Sequence, residues 1–126
     1  MGKRKKYTVE FIIRATPTML YSMINSPDGL SQWFSDVKAL EDQIFKFNWE
    51  DSSEKARMER SQANKVVKFK WLERDKPEYL TLEISKDELT DEVALIITDF
   101  DDEDEIEAAK QVWEANVEQL KGQLGA

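Results

Sequence analysis

Apolar and polar residues alternate over residues 7–14, with Val9, Phe11 and Ile13 on one face and Thr8, Glu10 and Ile12 on the other. A period of two predicts a strand. Thr16-Pro17 then supplies a helix cap followed by proline at the first helical position. Leu20, Met23 and Ile24 recur at helical spacing and make one apolar stripe. Ser26-Pro27-Asp28 repeats the cap-plus-proline device, ending the first helix and starting a second whose stripe is Leu30, Trp33 and Phe34. Two short helices joined this tightly cannot lie in line and are expected to form a V on one edge or mouth of a sheet.

From Val37 the period returns to two. Val37, Ala39 and Leu40 predict a short strand before a turn at Glu41-Asp42-Gln43, and Phe45, Phe47 and Trp49 alternate with Lys46, Asn48 and Glu50. Asp51-Ser52-Ser53 reads as a turn. Residues 54–62 are polar, with Ala56 and Met58 as inward candidates, so an exposed or edge strand is expected there. Ala63-Asn64-Lys65 is the next turn, and Val67, Phe69 and Trp71 then alternate with Lys68 and Lys70. Asp75-Lys76-Pro77-Glu78 breaks the pattern before the inward row Leu80, Leu82 and Ile84. After a turn at Lys86-Asp87-Glu88, Val93–Thr98 is apolar on both faces, as for a strand covered on each side. Ile106, Ala109, Trp113, Val117, Leu120 and Leu124 trace a closing helix of about 20 residues, ~30 Å long. Asp101 or Asp102 is the expected N-cap, with Glu105 three residues after Asp102 as in a capping box.

This order predicts an α+β fold: a curved antiparallel sheet, two short helices after the first strand, and a long C-terminal helix packed across the concave face. No internal repeat or linker interrupts it, so residues 1–126 read as one domain with a frayed basic tail at 1–6.

Composition removes several chemistries. Without cysteine or histidine among its 126 residues, the chain lacks a thiol nucleophile, a disulfide framework, the usual zinc ligands and the Ser-His-Asp triad. Serines and threonines fall mostly in caps and turns without a base, and no pair of acids is set by sequence into an apolar pocket. A non-catalytic protein needing no metal or cofactor is therefore expected. No apolar run approaches the ~20 residues of a membrane span. Met1-Gly2 opens like a myristoylation site, but Lys6 stands where Ser or Thr is wanted. A cytoplasmic protein that does not act at the membrane follows as the expectation.

The net charge of −8 is concentrated, because residues 99–107 carry seven acids and no base, leaving the rest near neutral. With no dominant basic face, general nucleic-acid binding is disfavoured. The acidic run lacks the glycine of a calcium loop. Helix capping and solubility account for it, and a docking surface for a basic protein partner is the functional alternative.

The inward rows are rich in aromatics: Phe11, Phe45, Phe47, Trp49, Phe69 and Trp71, facing Trp113 and Val117. They either fill the core or line an apolar cavity beneath the terminal helix. Buried indole nitrogens need partners, and with few neutral polar side chains directed inward, water or a ligand would supply them. Arg60 shares the parity of Ala56 and Met58, which offers it to a ligand at a pocket rim or to solvent at a strand end.

Ala15-Thr16-Pro17, then Ser26-Pro27-Asp28-Gly29-Leu30-Ser31-Gln32-Trp33-Phe34, with the strand Val93–Thr98 and the helix bearing Trp113 and Leu120, resemble the START and birch-pollen-allergen (SRPBCC, helix-grip) superfamily. The closer likeness is to the branch of the C-terminal domain of the heat-shock-protein-90 ATPase activator, and it runs from Tyr7 to the end. The resemblance implies a helix-grip fold and a small hydrophobic ligand held against Trp49, Phe69, Trp71, Leu82, Trp113 and Val117. The short acidic segment before the last helix implies a narrow entrance. The activator branch implies, alternatively, a protein-interaction or chaperone-accessory domain using the acidic segment 99–107.

Overall fold

The computed structural model describes residues 3–126; Met1 and Gly2, and with them the lipidation reading, lie outside the described residues. The element order is β1 (Arg4–Ile13), α1 (Pro17–Ser22), α2 (Pro27–Ser31), β2 (Asp36–Ala39), β3 (Ile44–Asn48), β4 (Ser53–Gln62), β5 (Val66–Trp71), β6 (Tyr79–Lys86), β7 (Val93–Asp102) and α3 (Ile106–Leu124). Among the described residues these seven strands form one antiparallel sheet in the order β1-β7-β6-β5-β4-β3-β2. Consecutive strands from β2 to β7 are neighbours, and β1 closes beside β7. The sheet curves, and α3 packs across its concave face in the expected α+β helix-grip arrangement.

Local chemistry sets the helical V. Thr16 Oγ1 accepts the Met19 amide and Ser26 Oγ accepts the Gly29 amide, so each cap and its following proline start a helix. Gly29 is required by close approach: a Cβ there would stand 2.2 Å from the Ser22 carbonyl oxygen. Leu20, Ile24 and Leu30 are fully buried, and Trp33 donates its indole N–H to the Met23 carbonyl at 2.8 Å. The V is thereby fastened to itself and to the core.

The inward rows seal the interior. Phe47, Val67, Phe69, Leu80, Leu82, Leu95, Ile97, Val117 and Leu120 are all without solvent exposure. Several turns use left-handed backbone at residues other than glycine, at Asp42, Gln43, Asn64 and Asp91. That explains how so many hairpins form in a chain with only four glycines.

Four expectations are corrected. First, residues 54–62 are exposed as expected but are not an edge: β4 lies between β3 and β5, with Ala56 buried and most of its polar residues exposed. Second, Arg60 reaches solvent, as one of its two expected readings has it, but not from the inward parity of Ala56 and Met58: the register of β4 against β5 shifts between Met58 and Arg60, so Arg60 pairs with Lys68 and bonds to Gln62. An extra residue in a strand exchanges its faces, and Arg60 leaves the pocket side for that reason. Third, the capping box is not formed. β7 runs on to Asp102, a single 3-10 turn of Glu103–Glu105 follows, and neither Asp102 nor Glu105 makes a side-chain cap bond. Fourth, Arg4, Lys5 and Lys6 are not a frayed tail. They pair in β1 opposite Asp102, Asp101 and Phe100, so the basic start and the acidic run form one ladder.

Candidate functional site

A cleft of about 640 Å³ opens between the N-terminal half of α3, the β3–β4 turn and the loop of residues 72–78. Its apolar wall includes Phe34, Trp49, Trp71 and Trp113. These rings support one another: Phe34 stacks on Trp113 at 4.8 Å between centroids, and Phe47 lies behind, 5.5 Å from Trp71 and 6.3 Å from Trp49. Trp113 reaches the cleft because the α3 stripe directs it at the sheet. Trp49 projects just past the end of β3 and stays 38% exposed at the rim.

Of the six ligand-contact residues expected from sequence, Trp49, Trp71 and Trp113 line this cleft. Phe69, Leu82 and Val117 do not. All three are fully buried in the core instead. The aromatic rows thus both fill the core and wall an opening at one end.

The indole partners come from the protein rather than from water or a ligand. Trp113 donates to the Tyr7 hydroxyl at 2.9 Å, and Trp71 donates to Asp99 Oδ1 at 3.1 Å. Burial, with the Asp99 charge adding, pushes the Tyr7 hydroxyl well above the ordinary phenol range. Tyr7 and Asp99 face each other across the β1–β7 register.

The opposite wall is ionic. Arg74 binds Glu54 through Nε at 2.6 Å and Nη2 at 3.1 Å, and Glu78 through Nη1 at 2.7 Å. Its guanidinium also lies 4.6 Å over the Trp71 ring. Arg4 joins from β1, donating Nε and Nη2 to Glu78 and Nη1 to Asp102. Glu78 is 3% exposed and sits between two guanidiniums. The hydrogen bonds from Arg4 first, and then Arg74, hold its carboxyl below the usual range against the opposing effect of burial. Burial works against the Arg74 charge, but Glu54 and Glu78 outweigh it and raise its affinity for the proton.

Asp99 behaves in the opposite way. It is 9% exposed, and burial lifts its carboxyl from 3.8 to about 6 even though the Phe100 amide, Arg74 and Trp71 all favour the charged form. Its nearest cation, Arg74 Nη1, is 3.8 Å from Oδ1.

Sequence reasoning did not single out this ionic wall. Tyr7 and Asp99 were accessible to it, because each continues the inward parity of its strand (Val9, Phe11, Ile13 and Val93, Leu95, Ile97). Arg74 and Glu78 carry no such signal, since they lie in the stretch where periodicity breaks. The acidic run is also less free than its composition suggested. Asp99 is buried, Asp102 meets Arg4 at 3.3 Å and Glu103 meets Lys5 at 3.0 Å. Asp104, Glu105 and Glu107 are exposed.

A grooved sheet gripped by a terminal helix, with an aromatic cleft under that helix, defines the helix-grip class. The family model of the START-like superfamily domain matches residues 1–126, and the chain belongs to that superfamily. Solved structures of the same shape include the Aha1 dimer from Colwellia psychrerythraea, 17% identical, covering 95% of this chain and 96% of that one with a TM-score of 0.76. Protein MLL2253 from Mesorhizobium loti is 15% identical, with 96% and 97% covered and a TM-score of 0.79. BfR322 from Bacteroides fragilis is 29% identical, with 98% and 92% covered and a TM-score of 0.64. None of the curated proteins matches the sequence. The resemblance read from Ala15–Phe34 and the closing strand and helix is borne out.

Proposed function

We propose that this domain is a non-catalytic binding module that holds a small hydrophobic molecule in the cleft between the sheet and α3. The observation that carries the reading is the cleft itself: about 640 Å³ walled on one side by Phe34, Trp49, Trp71 and Trp113. That volume is in the range of small-molecule sites, which are mostly apolar with a few fixed polar groups. Membership of the START-like superfamily, whose members commonly bind hydrophobic ligands, supports it. The connection from β7 to α3 is only the three residues Glu103–Glu105, which keeps the helix start close to the sheet and favours a compact ligand over a long lipid chain.

Native mass spectrometry of the purified protein, followed by denaturation and extraction, tests the reading. Val112 lines the cleft yet is 60% exposed, so Val112→Lys alters the mouth while sparing the core. The expected result is a reproducible apolar molecule, or saturable binding of an added naphthalene probe, lost in Val112→Lys while the fold is retained. Absence of both in the wild-type protein at millimolar probe refutes the proposal.

A further inference from the structure

The cleft is walled by aromatics, but its polar side is acidic in balance. With every acid ionised, its lining residues sum to a formal charge of −3. The two guanidiniums facing it are already committed. Arg74 gives Nε, Nη1 and Nη2 to Glu54 and Glu78, and Arg4 gives all three of its nitrogens to Glu78 and Asp102. An anionic head group would have to displace one of these carboxylates, losing a charge-assisted pair to form another. The remaining cation of the lining, Lys76, is exposed at the rim with Asp75 beside it in the chain.

One acceptor is left over. Asp99 is nine-tenths buried on the inner face of β7 and lines the cleft. Its Oδ1 accepts the Trp71 indole, while among the described residues no side chain donates to Oδ2. No buried side-chain nitrogen or oxygen among the described residues lacks a partner, so the uncommitted Oδ2 is open to the cleft, where a charged donor completes the carboxylate best. The ring of Trp49, 38% exposed at the rim, attracts the same kind of group, as Arg74 over Trp71 already illustrates within the protein.

We propose that the cleft selects compact apolar molecules ending in a protonated primary or secondary amine, whose N–H is received by Asp99 Oδ2 while the apolar body lies against Trp49 and Trp113. This deepens the binding reading above and rests on it. The groups facing Asp99 are Tyr7 from β1, Glu54 from β4, and Arg74 and Glu78 from the 72–78 loop. Tyr7 and Arg74 are displaced upward and Glu78 downward, and Glu54 is held by Arg74. Asp99 therefore governs amine binding near pH 6.

Three probes of one shape test it by calorimetry at pH 7.5 and moderate salt: 1-naphthylmethylamine, 1-naphthylmethanol and 1-naphthoic acid. The expected order is amine, then alcohol, then acid, with about tenfold or more between amine and acid. Asp99→Asn keeps an acceptor for Trp71 and is expected to bring the amine to the alcohol's level while leaving the alcohol within about twofold. In the wild-type protein, amine affinity is expected to fall as pH drops through about 6, with the alcohol unchanged. Equal affinities, a preference for the acid, an amine preference that survives Asp99→Asn, or a flat pH profile overturns the selection and leaves a general apolar site. Failure of all three probes to bind the wild-type protein removes the site as well.

Discussion

Asp99 gives the sharpest test of how this fold carries a buried charge. The carboxyl titrates at about 6 in the folded chain and near 3.8 when free of it. At about 1.4 kcal/mol per pH unit, the ionised group costs the folded state about 3 kcal/mol at neutral pH. The sign is that of a raised acid: the folded chain holds the proton more tightly, so this group's contribution is most favourable below pH 4 and is lost as pH rises through about 6. Asp99→Asn removes the charge, keeps the shape and keeps an oxygen for the Trp71 indole. The variant is expected to be more stable than the wild type by up to about 3 kcal/mol at pH 7.5 and about equal to it at pH 4. That is a large share of the 5–15 kcal/mol by which domains are usually stable. Urea unfolding of both proteins from pH 4 to 7.5 measures it, because the other acids titrate alike in both and cancel in the difference. A difference that is flat with pH, or a variant less stable at pH 7.5, refutes the reasoning.

The remaining predictions concern the walls of the cleft and the turns behind it. Arg74→Met leaves Glu54 without its bidentate partner and Glu78 with Arg4 alone, and is expected to destabilise the fold by about 3 kcal/mol in urea titrations. It also removes the cation nearest Asp99, so carboxyl NMR is expected to show Asp99 titrating above its wild-type midpoint. Trp113→Ala removes a 4%-exposed ring stacked on Phe34 and strands the Tyr7 hydroxyl; a loss of about 3–5 kcal/mol is expected by thermal or chemical unfolding. Gly29→Ala drives a Cβ into the Ser22 carbonyl, with an expected loss of about 2 kcal/mol or more and a disturbed Trp33 fluorescence environment. Gln43→Gly relieves left-handed backbone at φ 64 and is expected to stabilise by about 0.5–1 kcal/mol, read as a raised Tm.

Most of the architecture was legible in the chain because it rests on local rules. Period-two alternation marked the strands, Thr16-Pro17 and Ser26-Pro27 marked the helix starts, and the stripe through Trp113, Val117 and Leu120 marked the helix that crosses the sheet. Those signals are short-ranged: each depends on which face a residue takes and on which backbone groups a cap satisfies. The errors arose where a short-range rule meets a long-range one. A one-residue bulge near Met58 reversed the face of Arg60. Acids that suit a helix start were drawn into β7 instead, because Arg4 and Lys5 of β1 lie across from Asp102 and Asp101. Local preference is worth about 1 kcal/mol per site, and a continuous ladder with opposed charges outweighs it. The candidate site was legible only on its aromatic side. Its ionic side unites Arg4, Glu54, Arg74, Glu78 and Asp99, which lie on β1, β4, the 72–78 loop and β7. Periodicity showed that Asp99 continues an apolar row, but burial and the partners within reach decide its charge and chemistry. Those depend on which distant segments the sheet order brings together, and only the tertiary structure settles that.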